Sequence, residues 1–153
     1  MTKVIRDKWY PFAVKRIKRG VNNKTRLRQG LRRGQVLILL TGPYRGRRVI
    51  YLKQMERSGL LLVNGPFSVN GVPLKRVSQR FVIITSTRVN VHGIDLSGIT
   101  DEYFKVEKKG KRAVKFPEAK KAVQKALDTQ LLERVQKVDL LKDYLKSYFT
   151  ITP

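Results

Sequence analysis

The chain has 153 residues, the size of about one domain, with 34 Lys+Arg against 11 Asp+Glu and no cysteine. Those numbers exclude disulfides and thiolate metal sites, and the net charge of +23 calls for an anionic partner, because uncompensated charge of one sign opposes compaction. Nucleic acid is the first candidate and an anionic membrane the second. The longest apolar run, VLILL at 36–40, falls far short of the roughly 20 residues of a spanning helix. The opening MTKVIRDKWYPF holds no continuous apolar segment of the kind a secretory signal needs, so an intracellular setting is expected.

Charge divides the chain. Residues 1–33 carry twelve Lys/Arg and one acid, residues 34–99 nine and two, and residues 100–153 thirteen and eight. The first segment reads as a basic arm, the second as a β domain and the third as a linker with C-terminal helices. In the arm, KRIKRG and KTRLRQGLRR supply Lys15, Arg16, Lys18, Arg19, Lys24, Arg26, Arg28, Arg32 and Arg33. Its large apolar residues Trp9, Tyr10, Phe12 and Ile17 follow no helical period. A segment this charged cannot bury enough apolar surface to offset its ordering entropy, so it is expected to be extended and fixed by a partner.

From Gly34 the pattern changes to short strands and turns. QVLILLT is a near-continuous apolar run bounded by glycines, hence a buried strand. RVIYLKQM sets Val49, Tyr51 and Lys53 on one side and Ile50, Leu52 and Gln54 on the other. GLLLVNG is a further strand closed by the Asn64-Gly65 turn signal. A second Asn-Gly, Asn70-Gly71, opens a loop through VPLKRV, where Pro73 argues against a central strand. RFVIITSTRV is rich in β-branched residues and reads as the last strand. Five short strands in about 55 residues predict a small closed or half-closed barrel rather than βαβ units.

The final third switches to helical spacing. Pro117 suits a first helical turn, and Ala119, Val123, Ala126, Leu127, Leu131 and Val135 form one apolar stripe. Asp139 is expected to cap a second helix carrying Leu141, Leu145, Tyr148 and Phe149, and the Thr100 hydroxyl a short turn at DEYF.

Catalytic chemistry finds little support. The one histidine, His92, has no second histidine or cysteine with which to share a metal. Asp101 and Glu102 suit the first turn of a helix, and no Gly-x-Ser-x-Gly or His-Glu-x-x-His occurs. The loop GPYRGR lacks the Gly-Lys-Ser/Thr ending of a nucleotide-phosphate loop, and a strand follows where a helix is needed. No cofactor, metal or small-molecule substrate is expected.

What the residues favour is cationic recognition. In TGPYRGRRVIYL, two strands hold a turn with Gly42, Tyr44, Gly46 and the arginines Arg45, Arg47 and Arg48, whose planar guanidinium groups suit phosphate. Lys75 and Arg76 follow a second glycine turn, and Lys108, Lys109, Lys111 and Arg112 form a third cationic segment. No row of strand aromatics offers to stack bases; Tyr44 is the one obvious loop platform. Phosphate contact and shape fitting on folded RNA is therefore expected, not base reading.

GQVLILLTGPYRGRRVIYLKQ resembles the KOW unit of SH3-like barrels in ribosomal and elongation proteins. Together with SGLLLVNGPFSVNGVPLKRVSQRFVIITSTRVNV, ITDEYF and LLKDYLKSYF, it resembles the eukaryote-type large-subunit ribosomal protein L-six family, in order and spacing, from about Leu27 onward. The resemblance implies an SH3-like barrel with a basic N-terminal extension and C-terminal helices, bound to large-subunit ribosomal RNA and to neighbouring large-subunit proteins. It implies RNA contact by Gly42, Tyr44, Arg45, Gly46, Arg47 and Arg48 in the KOW turn, and by Lys75 and Arg76 in the loop after Gly71. The alternative is a KOW-type transcription elongation factor or an architectural nucleic-acid binder.

Overall fold

A computed structural model describes residues 25–105 and 118–150. Its centre is a five-stranded antiparallel sheet: β1 (Gln35–Leu39), β2 (Arg48–Gln54), β3 (Leu61–Asn64), β4 (Lys75–Val77) and β5 (Val82–Arg88). The strand order is β4-β3-β2-β1-β5, so β4 and β5 form the two edges of a half-closed, barrel-like sheet. A four-residue helix, α1 (Phe67–Asn70), links β3 to β4. Two further helices, α2 (Glu118–Gln136) and α3 (Leu141–Lys146), complete the β+α fold. Pro73 lies outside any strand, but the stretch after it, expected as a loop, forms β4, which pairs on one side only, with β3.

The near-continuous apolar runs arise because both faces of the sheet are covered. Alternate residues Leu37, Leu39, Val49, Tyr51, Leu61 and Val63 turn into the barrel and pack with Leu31, Val72 and Val82. Their neighbours Val36, Ile50, Leu52 and Leu62 face the other way, under the 89–99 segment and the helices. Leu131 and Leu145, both wholly buried in that second core, each contribute roughly 1.5–3 kcal/mol by apolar burial. Leu31 belongs to the first core, so the described end of the basic segment is held against the barrel. Gln54 donates to the Thr25 carbonyl at 2.6 Å, and the Arg28 amide to Gln79 Oε1 at 3.1 Å.

Three local expectations are corrected. The buried stripe of α2 runs through Gln124, Leu127, Asp128, Leu131 and Val135, while Ala119, Val123 and Ala126 are exposed. Polar residues interrupt that stripe because they staple α2 to the end of β3 and the loop beyond it. Asp128 accepts from Asn64 Nδ2 at 2.8 Å, Gln124 Nε2 at 2.7 Å and the Phe67 amide at 2.9 Å. Gln124 Oε1 in turn accepts from the Leu74 amide at 2.7 Å. Asp139 does not cap α3; Leu140, in the left-handed region at φ 59°, holds that place without a side-chain bond. The Thr100 hydroxyl does not cap the 3-10 turn Glu102–Phe104 either, whose first residue follows Asp101. Pro117 lies outside the described residues.

Replacing Asp128 by Ala leaves the buried Asn64 amide and the partly buried Phe67 N–H without their acceptor. We expect a loss of roughly 1–3 kcal/mol in denaturant unfolding, seen as a lower midpoint with an unchanged slope.

Candidate nucleic-acid interface

The turn between β1 and β2 is fixed by its own backbone. The Gly46 amide donates to the Leu39 carbonyl at 2.7 Å, and the Leu39 amide to the Arg47 carbonyl at 3.0 Å. Arg45 and Arg47 N–H groups each close a tight turn, on the Gly42 and Tyr44 carbonyls, at 3.1 Å. Gly46, at φ 81°, is in the left-handed region that disfavours side chains. It is also covered: a Cβ there would meet the Phe149 carbonyl and stand 2.8 Å from the Tyr148 ring. The Phe149 amide donates to the Gly46 carbonyl at 2.9 Å. The last described residues of the chain are thus laid along the turn.

They reach it because α3 stops early. Sequence periodicity carries that helix through Phe149, but it ends at Lys146, and Ser147 turns to an extended conformation at ψ 150°. Tyr148 and Phe149 leave the helix and run to Gly46.

The three arginines of the turn have different roles. Arg45 is exposed. The Arg47 guanidinium lies 5.4 Å from the Tyr148 ring centroid. Arg48 does not face outward: strand alternation puts it on the side of Ile50 and Leu52, which the helices cover. Its guanidinium lies 4.1 Å from the Tyr144 ring centroid and donates to the Tyr144 carbonyl at 2.8 Å and to Ser147 Oγ. Tyr44 packs at the edge of the barrel core rather than standing free, with Lys75 Nζ 5.3 Å from its ring centroid. Lys75 is thereby brought to the turn.

Arg76, its neighbour on β4, points the other way. It pairs with Asp101 at 2.7 Å and lies 4.8 Å from the Phe104 ring centroid. Arg26 and Arg32 are exposed; Arg28 donates to the Gln79 carbonyl at 3.2 Å and Arg33 Nε to the Leu52 carbonyl at 3.0 Å. Lys15, Arg16, Lys18, Arg19, Lys24, Lys108, Lys109, Lys111 and Arg112 lie outside the described residues. Arg88, which sequence reasoning passed over, donates to the Arg33 carbonyl at 3.1 Å. With Arg33, Asn90 and His92 it lines an open groove of about 460 Å³. Among the described residues, no three His, Asp or Glu side chains converge on a common point, and no helix is long and apolar enough to cross a membrane.

Asp101 is the carboxylate that draws Arg76 away from the turn. Burial works to raise its pKa. Hydrogen bonds from the Ser58 hydroxyl, Arg76 and the Ser58 and Arg57 amides more than offset that and hold it below the ordinary carboxylate range. A depressed native value means that the stabilisation is complete above the unfolded-state pKa and disappears as pH falls through the native one. Asp101→Asn should therefore lower stability near neutral pH and flatten the acid limb of the unfolding midpoint against pH. An unchanged acid limb would contradict this.

A family model described as Ribosomal protein L6e matches residues 69–153, from α1 to the end of the chain. Over most of its length the chain is also similar to proteins named large ribosomal subunit protein eL6. The one from Tetrahymena thermophila is 42% identical across 95% of this chain and 86% of its own. The one from Candida albicans is 48% identical across 82% of this chain and 78% of its own, and that from Dictyostelium discoideum 41% across 84% and 61%. The region from Phe67 to Phe149 that shapes the turn's surroundings lies almost wholly within the family match, and the chain belongs to the ribosomal protein L6e family.

Proposed function

We propose that this chain is a structural, non-catalytic constituent of the large ribosomal subunit, binding folded ribosomal RNA through arginine and lysine contacts to phosphate. The observation that carries the reading is the turn. Arg45 and Arg47 project from a loop held by two buried strands and by the chain's own C-terminal segment, with Lys75 beside them. Guanidinium groups on so rigid a mount lose little entropy on binding. The net charge of +23 supplies the long-range attraction, and the relatives' names supply the assembly.

In this reading the basic segment 1–33 and the cluster Lys108, Lys109, Lys111 and Arg112 add phosphate contacts around the barrel of 34–99. The helices of 100–153 cover the barrel and offer surfaces to neighbouring large-subunit proteins. Arg48 and Arg76 act as positioning residues: one anchors α3, the other ties β4 to Asp101. The protein works on cytoplasmic ribosomes in translation, after nucleolar passage during assembly.

The test is gradient sedimentation of a gently lysed source cell, with the chain followed by mass spectrometry and one sample washed at high salt. Co-migration with large subunits and polysomes at near-equal stoichiometry, surviving the wash, is the expected result. Loss into the supernatant would return the elongation-factor and architectural readings to the front. We further predict that Arg45→Ala with Arg47→Ala leaves barrel unfolding unchanged. The pair should weaken binding to large-subunit RNA and lower the salt slope of log K by about two. Arg48→Ala should instead lower stability, because it frees Tyr144 and Ser147 from the sheet.

A further inference from the structure

Tyr148 and Phe149 are large aromatics left in solvent. Tyr148 is 53% exposed and Phe149 39% exposed, although both sit on a backbone fixed by the Phe149–Gly46 hydrogen bond. An exposed aromatic on a mobile tail needs no explanation; one held rigidly against an arginine turn does. The Arg47 guanidinium beside Tyr148 and the exposed Arg45 give the same small surface both a π-face and two cations. Tyr44, the aromatic of the turn itself, is not available for this, because it packs at the edge of the barrel core.

The three chemistries a partner could bring are distinguishable on this surface. Bare phosphate would use the arginines and leave Tyr148 idle. An apolar protein segment would gain from the aromatics but would desolvate two guanidinium groups at a cost. A nucleotide extruded from an RNA fold uses all of it: the base stacks on the ring, and the flanking phosphates meet the cations.

We propose that Tyr148, backed by Arg47 and flanked by Phe149, forms a stacking site for one unpaired base of the bound RNA, with Arg45 and Arg47 holding the adjoining phosphates. This rests on the RNA-binding reading above and changes its character. The turn is then a platform that selects an exposed nucleotide, in addition to a phosphate clamp.

The experiment combines binding and crosslinking. Tyr148→Leu, Tyr148→Phe and Tyr148→Trp are measured against deproteinised large-subunit RNA over a range of salt. Separately, large subunits are irradiated with ultraviolet light, and the tryptic peptide beginning at Ser147 is searched for nucleotide adducts.

Loss of a stacked base predicts about a five- to hundredfold weaker complex for Tyr148→Leu, with the salt slope unchanged. The Phe and Trp variants should bind like the parent, and an adduct should map to Tyr148 or Phe149. Tyr148→Leu binding as tightly as the parent, with adducts only elsewhere, overturns the stacking site and leaves the phosphate reading standing. A weaker Leu variant with a reduced salt slope also overturns it, since Tyr148 would then only position Arg47. A crosslink from Tyr148 to protein in place of RNA overturns it as well. Failure of the parent to bind the RNA overturns both readings together.

Discussion

The surface at the turn depends on a contact between residues about a hundred positions apart. The Gly46 carbonyl receives the Phe149 amide, and next to it Arg48 reaches across to Tyr144 and Ser147. Glycine is required at 46 both for its backbone conformation and because the Tyr148 ring and the Phe149 carbonyl occupy the space of a side chain. A charged turn on its own would be free to fray, since its guanidinium groups repel one another. Tied to α3, it becomes one edge of a packed core.

That core explains why so basic a chain folds at all. The sheet is apolar on both faces, and the second face is covered by parts of the same chain, the 89–99 segment and two helices. The helices therefore help to close the second of two cores and are not appendages to a barrel. The buried amide–carboxylate cluster of Asn64, Gln124 and Asp128 fixes where α2 lies, because each group finds its partner at one placement only. Burial of polar groups constrains geometry in this way when every member is bonded.

β1, β2, β3 and β5, their order of appearance and the glycine turns were legible in the sequence, since two-residue alternation and Asn-Gly or Gly-x-x-x-Gly spacing act over a few residues. β4 was not, because three residues inside a loop-like stretch become a strand only by pairing with β3. The demotion of the Pro73 segment from the sheet centre was legible for the same reason. The placement of the helix stripe was not. A search for apolar positions takes in Ala119 and Val123 and rejects Gln124 and Asp128, whose burial is explained only by partners about 60 residues away. The end of α3 was missed because Ser147 and Tyr148 are compatible with helix, and the backbone acceptor that draws Phe149 out lies in another part of the chain. For the arginines, spacing announced a cationic turn, whereas their division into outward and inward groups follows from strand parity and from what covers each face. Helical spacing makes Tyr148 a residue of the last helix, whereas its relation to Arg47 exists only in three dimensions.

The C-terminal segment and the turn form one rigid unit. The most direct measurement is amide hydrogen exchange, comparing the Phe149, Arg45 and Arg47 amides in the parent and in Gly46→Ala, with β3 amides as an internal reference. Protection at Phe149 in the parent, lost in the variant together with protection of the turn while β3 is unaffected, is the predicted result. A Phe149 amide that exchanges as freely in the parent as in Gly46→Ala would contradict the account.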